Sequence, residues 1–353
     1  MKKFKLFLAE GGNVQVGDIS AQAVDLSKIE RKKFIQQLVK GLLELNKQFE
    51  KEYGMKIWEK ESFVTSGKVF SGSSQHFINL DIPDEEFSKY KPTVGDIDVQ
   101  VSESIEKLLH EFFKKNKKFG DLTYVGQSQS AVGQISALFS FNGHNLQIDF
   151  EFVDIGDDGM PTEWSHFSRS SDWNDIKEGI KGVFHKYIIG CLDRSFTATV
   201  KVKKGKKNPK IEEKEVHFFA FSVKNGLRPK YSKGDDDVWE EITAKNGKYT
   251  KDIKEIFEFL FKKKPSEADI KNFNSFTGIV QLVKKYFKSE QQKKIISAFV
   301  DFIWGRGAQK LYKGDPAQDM KVKLAAVKYI EKELKTDIQK QYSTLINTYY
   351  ERY

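Results

Sequence analysis

The fold is decided by Gly95-Asp96-Ile97-Asp98-Val99-Gln100-Val101, read together with Leu146-Gln147-Ile148-Asp149-Phe150-Glu151-Phe152. Both stretches read as short buried strands with acids set into them, apolar and polar residues alternating. Side chains alternate across a strand, so Asp96 and Asp98 share one face while Ile97 and Val99 share the other. Asp149 and Glu151 repeat the arrangement. Burying several carboxylates close together is costly unless something positive sits among them. A divalent metal held by oxygen ligands meets that need, with Mg2+ the first choice and Mn2+ the second.

Just upstream, Val69-Phe70-Ser71-Gly72-Ser73-Ser74 sets a run of small residues after an apolar pair. Gly72 lets the backbone approach a ligand closely, and the amides of Ser73 and Ser74 are candidates to hold phosphate oxygens. A Gly-Ser turn, then Asp-x-Asp on the next strand, then a third acid on a later strand, resembles the signature of the DNA polymerase β superfamily of nucleotidyltransferases. The resemblance covers about residues 28–190. It implies an α+β chain: a mixed-sheet nucleotidyltransferase core with a β-hairpin and a helical C-terminal module. It also implies a reaction, the transfer of an NMP from an NTP to a hydroxyl on an RNA end, a protein side chain or a small molecule.

The same resemblance assigns roles. Asp96, Asp98 and Asp149 are the expected catalytic and metal-binding acids, with Asp96 and Asp98 bridging two Mg2+ ions. Asp149 completes one ion's shell and is the expected base, and Glu151 is a further metal ligand and the second candidate base. Gly72, Ser73 and Ser74 are expected on the β- and γ-phosphates. The chain departs from the family at one place. Ser73 to Asp96 spans 23 positions (96 − 73), where the family has a helix and a much shorter distance. The excess, Asn79 to Val94, is expected to be a surface insertion.

At 353 residues the chain can bury one large or two medium cores. Charged residues are 31% and apolar ones 39%, a balance that fits a water-soluble globular protein. No apolar run approaches membrane-spanning length, so no membrane partner is expected. The single cysteine, Cys191, excludes an intrachain disulfide and reads as a core residue of an apolar helix. The net charge of +9 points to an anionic partner such as RNA. The lysines are dispersed, so this charge speaks for steering rather than sequence reading.

Met1 to Glu10 is a short basic amphipathic segment that stops at Gly11-Gly12. It lacks the apolar core and cleavage site of a secretory signal. It resembles the capsid-targeting peptide of internal head proteins of T-even-type bacteriophages, which a head protease removes after Leu-x-Glu, here Leu8-Ala9-Glu10. An ordinary N-terminal helix or strand is the other reading. The resemblance implies a virion protein with the head protease as partner, packaged in the capsid and delivered to the host cytoplasm. The expected division is 1–10 as a cleaved peptide, 11–194 as the core, and 195–353 as the hairpin and acceptor-selecting helices. An alternative function is a catalytically inactive, DNA-binding head protein on the same scaffold. The charge favours that alternative, and the complete set of acids opposes it.

Other elements follow from local pattern. Ser27 to Tyr53 reads as a helix capped by Ser27 with Glu30 at its third position, and Ser102 to Asn116 as another capped by Ser102. Residues 122–126 and 134–142 read as strands, with Asn142-Gly143 as a hairpin turn. Trp164 to Ser171 reads as a polar loop, followed by a helix through Cys191. In the superfamily a basic residue after the third acid contacts the triphosphate, which makes Lys181 and Lys186 the candidates, with Arg169 behind them. His166 and His185 have no partners at zinc-ligand spacing. Residues 195–223 alternate as a hairpin with a basic loop, and Asp235 to Asp237 read as the cap of a turn at Val238–Ile242. Beyond Lys251 the apolar stripes are helical.

Overall fold

The computed structural model describes residues 14–128, 133–169, 171–196, 198–204, 210–222, 224–234, 237–243, 247–312 and 315–353, without the side chains of Arg194 and Ser195. The expected targeting peptide, 1–10, with its expected cleavage after Glu10, lies outside the described residues. The chain is mixed α/β, as the sequence implies, and it divides into two compact units, 1–170 and 171–353. The helix Val183–Cys191 belongs to the second unit, where Phe184 packs its ring on Phe276 and Phe299 of the C-terminal helices.

The first unit is built on a five-stranded sheet. Its strands run in the order Asp96–Ser102, His144–Val153, Gln134–Phe141, Leu122–Gln127 and Lys118–Phe119. The first pairing is parallel and the rest are antiparallel. Asn142 and Gly143 both take positive φ, 49° and 79°, giving the tight hairpin turn their sequence demands. The helix Arg31–Tyr53 buries Phe34, Leu38, Leu42, Leu45 and Phe49, one stripe at helical spacing. It ends at Gly54, whose φ of 69° closes the last turn onto the Glu50 carbonyl. Phe113, on the helix Glu106–Lys115, stacks 4.9 Å from Tyr124 and meets Phe150 at 5.3 Å. Each such fully buried ring contributes about 1.5–3 kcal/mol.

Several local expectations are corrected. Ser27 does not cap the long helix. Its amide and hydroxyl both donate to Asp25, closing the short turn Leu26–Lys28, and the helix begins at Arg31. Ser102 does cap, but through a 3-10 turn, Glu103–Ile105, ahead of the helix. Trp164 to Arg169 is not a loop, because Trp164 and Phe167 are buried and hold Glu163–Arg169 helical. The helix expected from there to Cys191 is split into Trp173–Lys177 and Val183–Cys191, with Gly179 at a φ of 71° in the gap.

In the second unit the hairpin is present: Ala198–Lys204 pairs antiparallel with Lys210–Val216, and its loop lies outside the described residues. Val238–Glu241 is a strand, parallel to Ala198–Lys204, rather than a capped turn. Asp237 pairs with Lys233 at 2.5 Å, while Asp235 and Asp236 are not described. The helices Ile253–Phe261, Phe276–Tyr286, Ser289–Trp304 and Pro316–Leu334 carry the expected buried stripes. Cys191 is buried. No described helix is long and apolar enough to cross a membrane.

Candidate metal centre and its turn

The parallel pairing creates the site. In its register Asp98 lies opposite Asp149, and Asp96 opposite Gln147. Asp96, Asp98 and Asp149 each offer a carboxylate oxygen within 4.8 Å of the others, a cluster that could hold a metal ion. The crowding is visible in their acidities. Burial, then the charges of Asp96, Glu151 and Asp149, push the Asp98 carboxyl well above the usual carboxylate range. Burial and the Asp96 charge raise Asp149 to about 7, against hydrogen bonds from Ser136 and Gln147. The Gln147 amide donates to both Asp149 oxygens, at 2.9 and 3.0 Å, and so fixes the carboxylate's orientation.

The small-residue turn is fastened to the same strand. The Gln100 amide donates to the Val69 carbonyl at 2.7 Å, and the Ser71 amide donates to the Asp98 carbonyl at 3.2 Å. These bonds lay residues 69–71 along the edge of the sheet and bring Gly72 beside Asp98. Gly72 has a φ of 54°, and a Cβ there would fall 2.4 Å from Asp98 Oδ2. Only glycine fits both the conformation and the contact. Ser74 is fully buried; its hydroxyl accepts from the Asp98 amide at 2.9 Å and donates to the Asp96 carbonyl at 3.4 Å. Gly72, Ser73 and Ser74 are therefore brought to the acids, but the Ser74 amide expected to hold a phosphate oxygen donates instead to the Ser71 carbonyl at 3.0 Å, closing the turn, and the Ser74 hydroxyl is committed to the strand.

Glu151 lies beside the cluster. Alternation puts it on the same face as Asp149, but two residues farther along, about 6.6 Å away. Both of its oxygens are taken: Ser71 Oγ donates to one at 2.5 Å, and Arg169 Nη1 to the other at 2.8 Å. The carboxylate cluster has three members among the described residues, Asp96, Asp98 and Asp149. Glu151 anchors the turn next to it. Arg169 helps from its main chain, since its carbonyl accepts from the Gly72 amide at 3.0 Å.

The expected surface insertion is also corrected. It contains a helix, Asp84–Tyr90, with Phe87 fully buried. The buried Arg31 guanidinium clamps this segment by donating to the carbonyls of His76, Phe77, Asn79 and Ile82 and to Asp84. The segment delivers a residue the sequence reading missed: Lys91 donates to the Ser73 hydroxyl. Its charge is also the one that eases the Asp98 carboxyl downward. Ser71 was missed as well. Its signal was its place immediately before Gly72, whereas Lys91 carried no local signal.

Lys181 and Lys186 belong to the second unit, where the Lys181 ammonium lies 4.1 Å from the centre of the Tyr312 ring. His185 is buried there, with Nε2 bonded to the Phe273 carbonyl at 2.8 Å. Compared with protein-family models, with curated proteins and with solved structures, the chain gave no significant match in any of the three.

Proposed function

We propose that the chain is a divalent-metal-dependent nucleotidyltransferase that moves an NMP from an NTP to a hydroxyl acceptor. The observation that carries this reading is the set of three carboxylates gathered within 4.8 Å beside a glycine turn that no side chain could occupy. The donor set fits Mg2+ or Mn2+, being all oxygen. Asp98 and Asp149 are both held above the usual carboxylate range by burial and by neighbouring carboxylates, and a bound cation would favour their ionised forms. Asp96, Asp98 and Asp149 would hold it. When bound, such an ion offsets the triphosphate charge and lowers the pKa of an attacking hydroxyl.

The chain's own groups do the rest. Gly72 keeps the turn free of a side chain, and Ser73 and Lys91 stand at the turn to take phosphate oxygens. Asp149 accepts the acceptor's hydroxyl proton. The new acceptor O–Pα bond forms as the bond from Pα to the leaving oxygen breaks, releasing pyrophosphate. The separate resemblance of residues 1–10 to a capsid-targeting peptide adds packaging in a phage head and action in the host cytoplasm.

The test is incubation of the purified chain with each α-labelled NTP, with and without MgCl2, against RNA and protein acceptors. Label transfer that requires Mg2+ and matches pyrophosphate release is expected. A protein whose melting temperature ignores Mg2+ and which binds no NTP would overturn the reading.

A further inference from the structure

Outside the acid cluster, the second unit carries a groove of about 540 Å3 lined from the end of the helix Ser289–Trp304 and from the helix Ser343–Glu351. Arg306, Lys310 and Arg352 line it, and no Asp or Glu does. Arg306 and Arg352 are exposed, and neither has a carboxylate partner among the described residues. Lys310 donates to the Tyr353 main-chain oxygen and lies 4.3 Å from the centre of that ring. Some surface lysines are paired locally, as Lys115 is with Glu52, Lys203 with Glu240 and Lys284 with Glu333, and others, such as Lys32, Lys33 and Lys40, stand dispersed in solvent. Solvated, scattered lysines account for both kinds. They do not account for two unpaired arginines and a lysine converging on one concavity, an arrangement that concentrates anions.

Shape and lining narrow the anion. The volume is that of a site for a small organic ligand, too small to admit a duplex. Tyr342 is half-buried on the wall, offering a ring for stacking, and Gln341 and Thr348 offer hydrogen bonds beside it. A cationic groove with an aromatic platform is the chemistry that binds single strands, the phosphates by charge and a base by its face. We propose that this groove binds a single-stranded nucleic-acid segment, with Arg306, Lys310 and Arg352 on its phosphates and Tyr342 under one base. The inference stands apart from nucleotidyl transfer, and its test contains neither nucleotide nor metal. Where both hold, the groove supplies the acceptor class.

The test is fluorescence anisotropy of the full chain with a labelled oligouridylate in EDTA, across about 50 to 200 mM salt. The Arg306→Ala/Arg352→Ala double variant is expected to bind at least about tenfold more weakly and to lower the log–log salt slope by about 1.4, two phosphate contacts' worth. Arg306→Lys and Arg352→Lys, which keep the charge, should retain that slope. Tyr342→Leu should weaken binding about tenfold with the slope unchanged, as loss of stacking requires. The hairpin pair Lys203→Ala/Lys204→Ala should bind like the parent. Unchanged affinity in the double variant, an equal loss in the hairpin pair, or displacement of the oligomer by inorganic phosphate or an acidic peptide at equal concentration would each overturn the assignment. Both arginines are exposed, so matching circular dichroism melts are expected throughout.

Discussion

Asp98 and Asp149 stand opposite one another in the parallel pairing of their strands, so a half-buried and a buried carboxylate meet with Asp96 as the third. Their mutual repulsion adds to burial in raising the Asp98 carboxyl. Asp98→Asn keeps the shape and removes one of the opposed charges. The metal-free variant should be as stable as the parent or slightly more so. Its Mg2+-induced rise in melting temperature should vanish, and transfer should fall by more than about a hundredfold. A metal-free protein destabilised by more than about 2 kcal/mol would show that Asp98 serves the fold rather than a cation.

Gly72→Ala tests the turn. The left-handed conformation alone costs an alanine about 1–2 kcal/mol. The added Cβ would also lie 2.4 Å from Asp98 Oδ2, so Asp98 must move. Urea unfolding should show at least that loss. Calorimetry should show weakened triphosphate binding, because the displaced carboxylate and the methyl group both crowd the phosphate's approach. Unchanged nucleotide affinity would remove Gly72 from the site.

The acids were legible because a strand's period of two is printed directly in Asp96-Ile97-Asp98 and Asp149-Phe150-Glu151. Asn142-Gly143 was legible because few other pairs accept positive φ twice in succession. What alternation does not tell is how far along a strand a partner sits. Glu151 shares a face with Asp149, but its role depends on where residues 69–71 dock, and that register is tertiary. Lys91 reaches Ser73 across 18 positions from a segment without periodicity. The helix Glu163–Arg169 was hidden by its serines, which favour caps and turns over helix interiors, until the burial of Trp164 and Phe167 overrode them. The strand Val238–Glu241 is four residues long, and its parallel partner lies far back in the chain.

Arg169→Gln should be the costlier way to disturb the turn. It leaves the Glu151 charge, nearly buried, with only the Ser71 hydroxyl. Breaking a buried ion pair costs about 3–5 kcal/mol, and partial exposure of Arg169, at 25%, lowers this to about 2–3 kcal/mol. Ser71→Ala should cost about 1 kcal/mol. Glu151→Gln can still accept from Arg169 through Oε1 and donate to the Ser71 hydroxyl through Nε2, and it leaves the three clustered carboxylates intact, so its Mg2+-induced stabilisation should match the parent's. Loss of that stabilisation would return Glu151 to the metal shell.

The last prediction concerns pH and the second unit. His185 is buried, bonded through Nε2 to the Phe273 carbonyl, and held down to about 3 by burial and by the charge of Lys186. The unfolded chain takes up this proton near 6.5, whereas the folded chain refuses it until about 3. Between those values the unfolded state binds more protons, so the contribution of His185 is complete above pH 6.5 and is lost as pH falls toward 3. Asp175 works the other way. It accepts from the amides of Phe276 and Thr277, yet burial raises it to about 6, so the folded state holds a proton that the unfolded state releases above 3.8. Stability from Asp175 therefore grows as pH falls through 6, and the two groups partly cancel in the parent. His185→Gln separates them, because its amide can still donate to Phe273. At pH 8 the variant should be weaker by about 1–2 kcal/mol from altered packing. That deficit should shrink steadily between pH 6.5 and 4, because glutamine has no proton to gain. Urea midpoints taken in half-unit pH steps measure it, and parallel curves for the two proteins would show that His185 does not carry the acid limb.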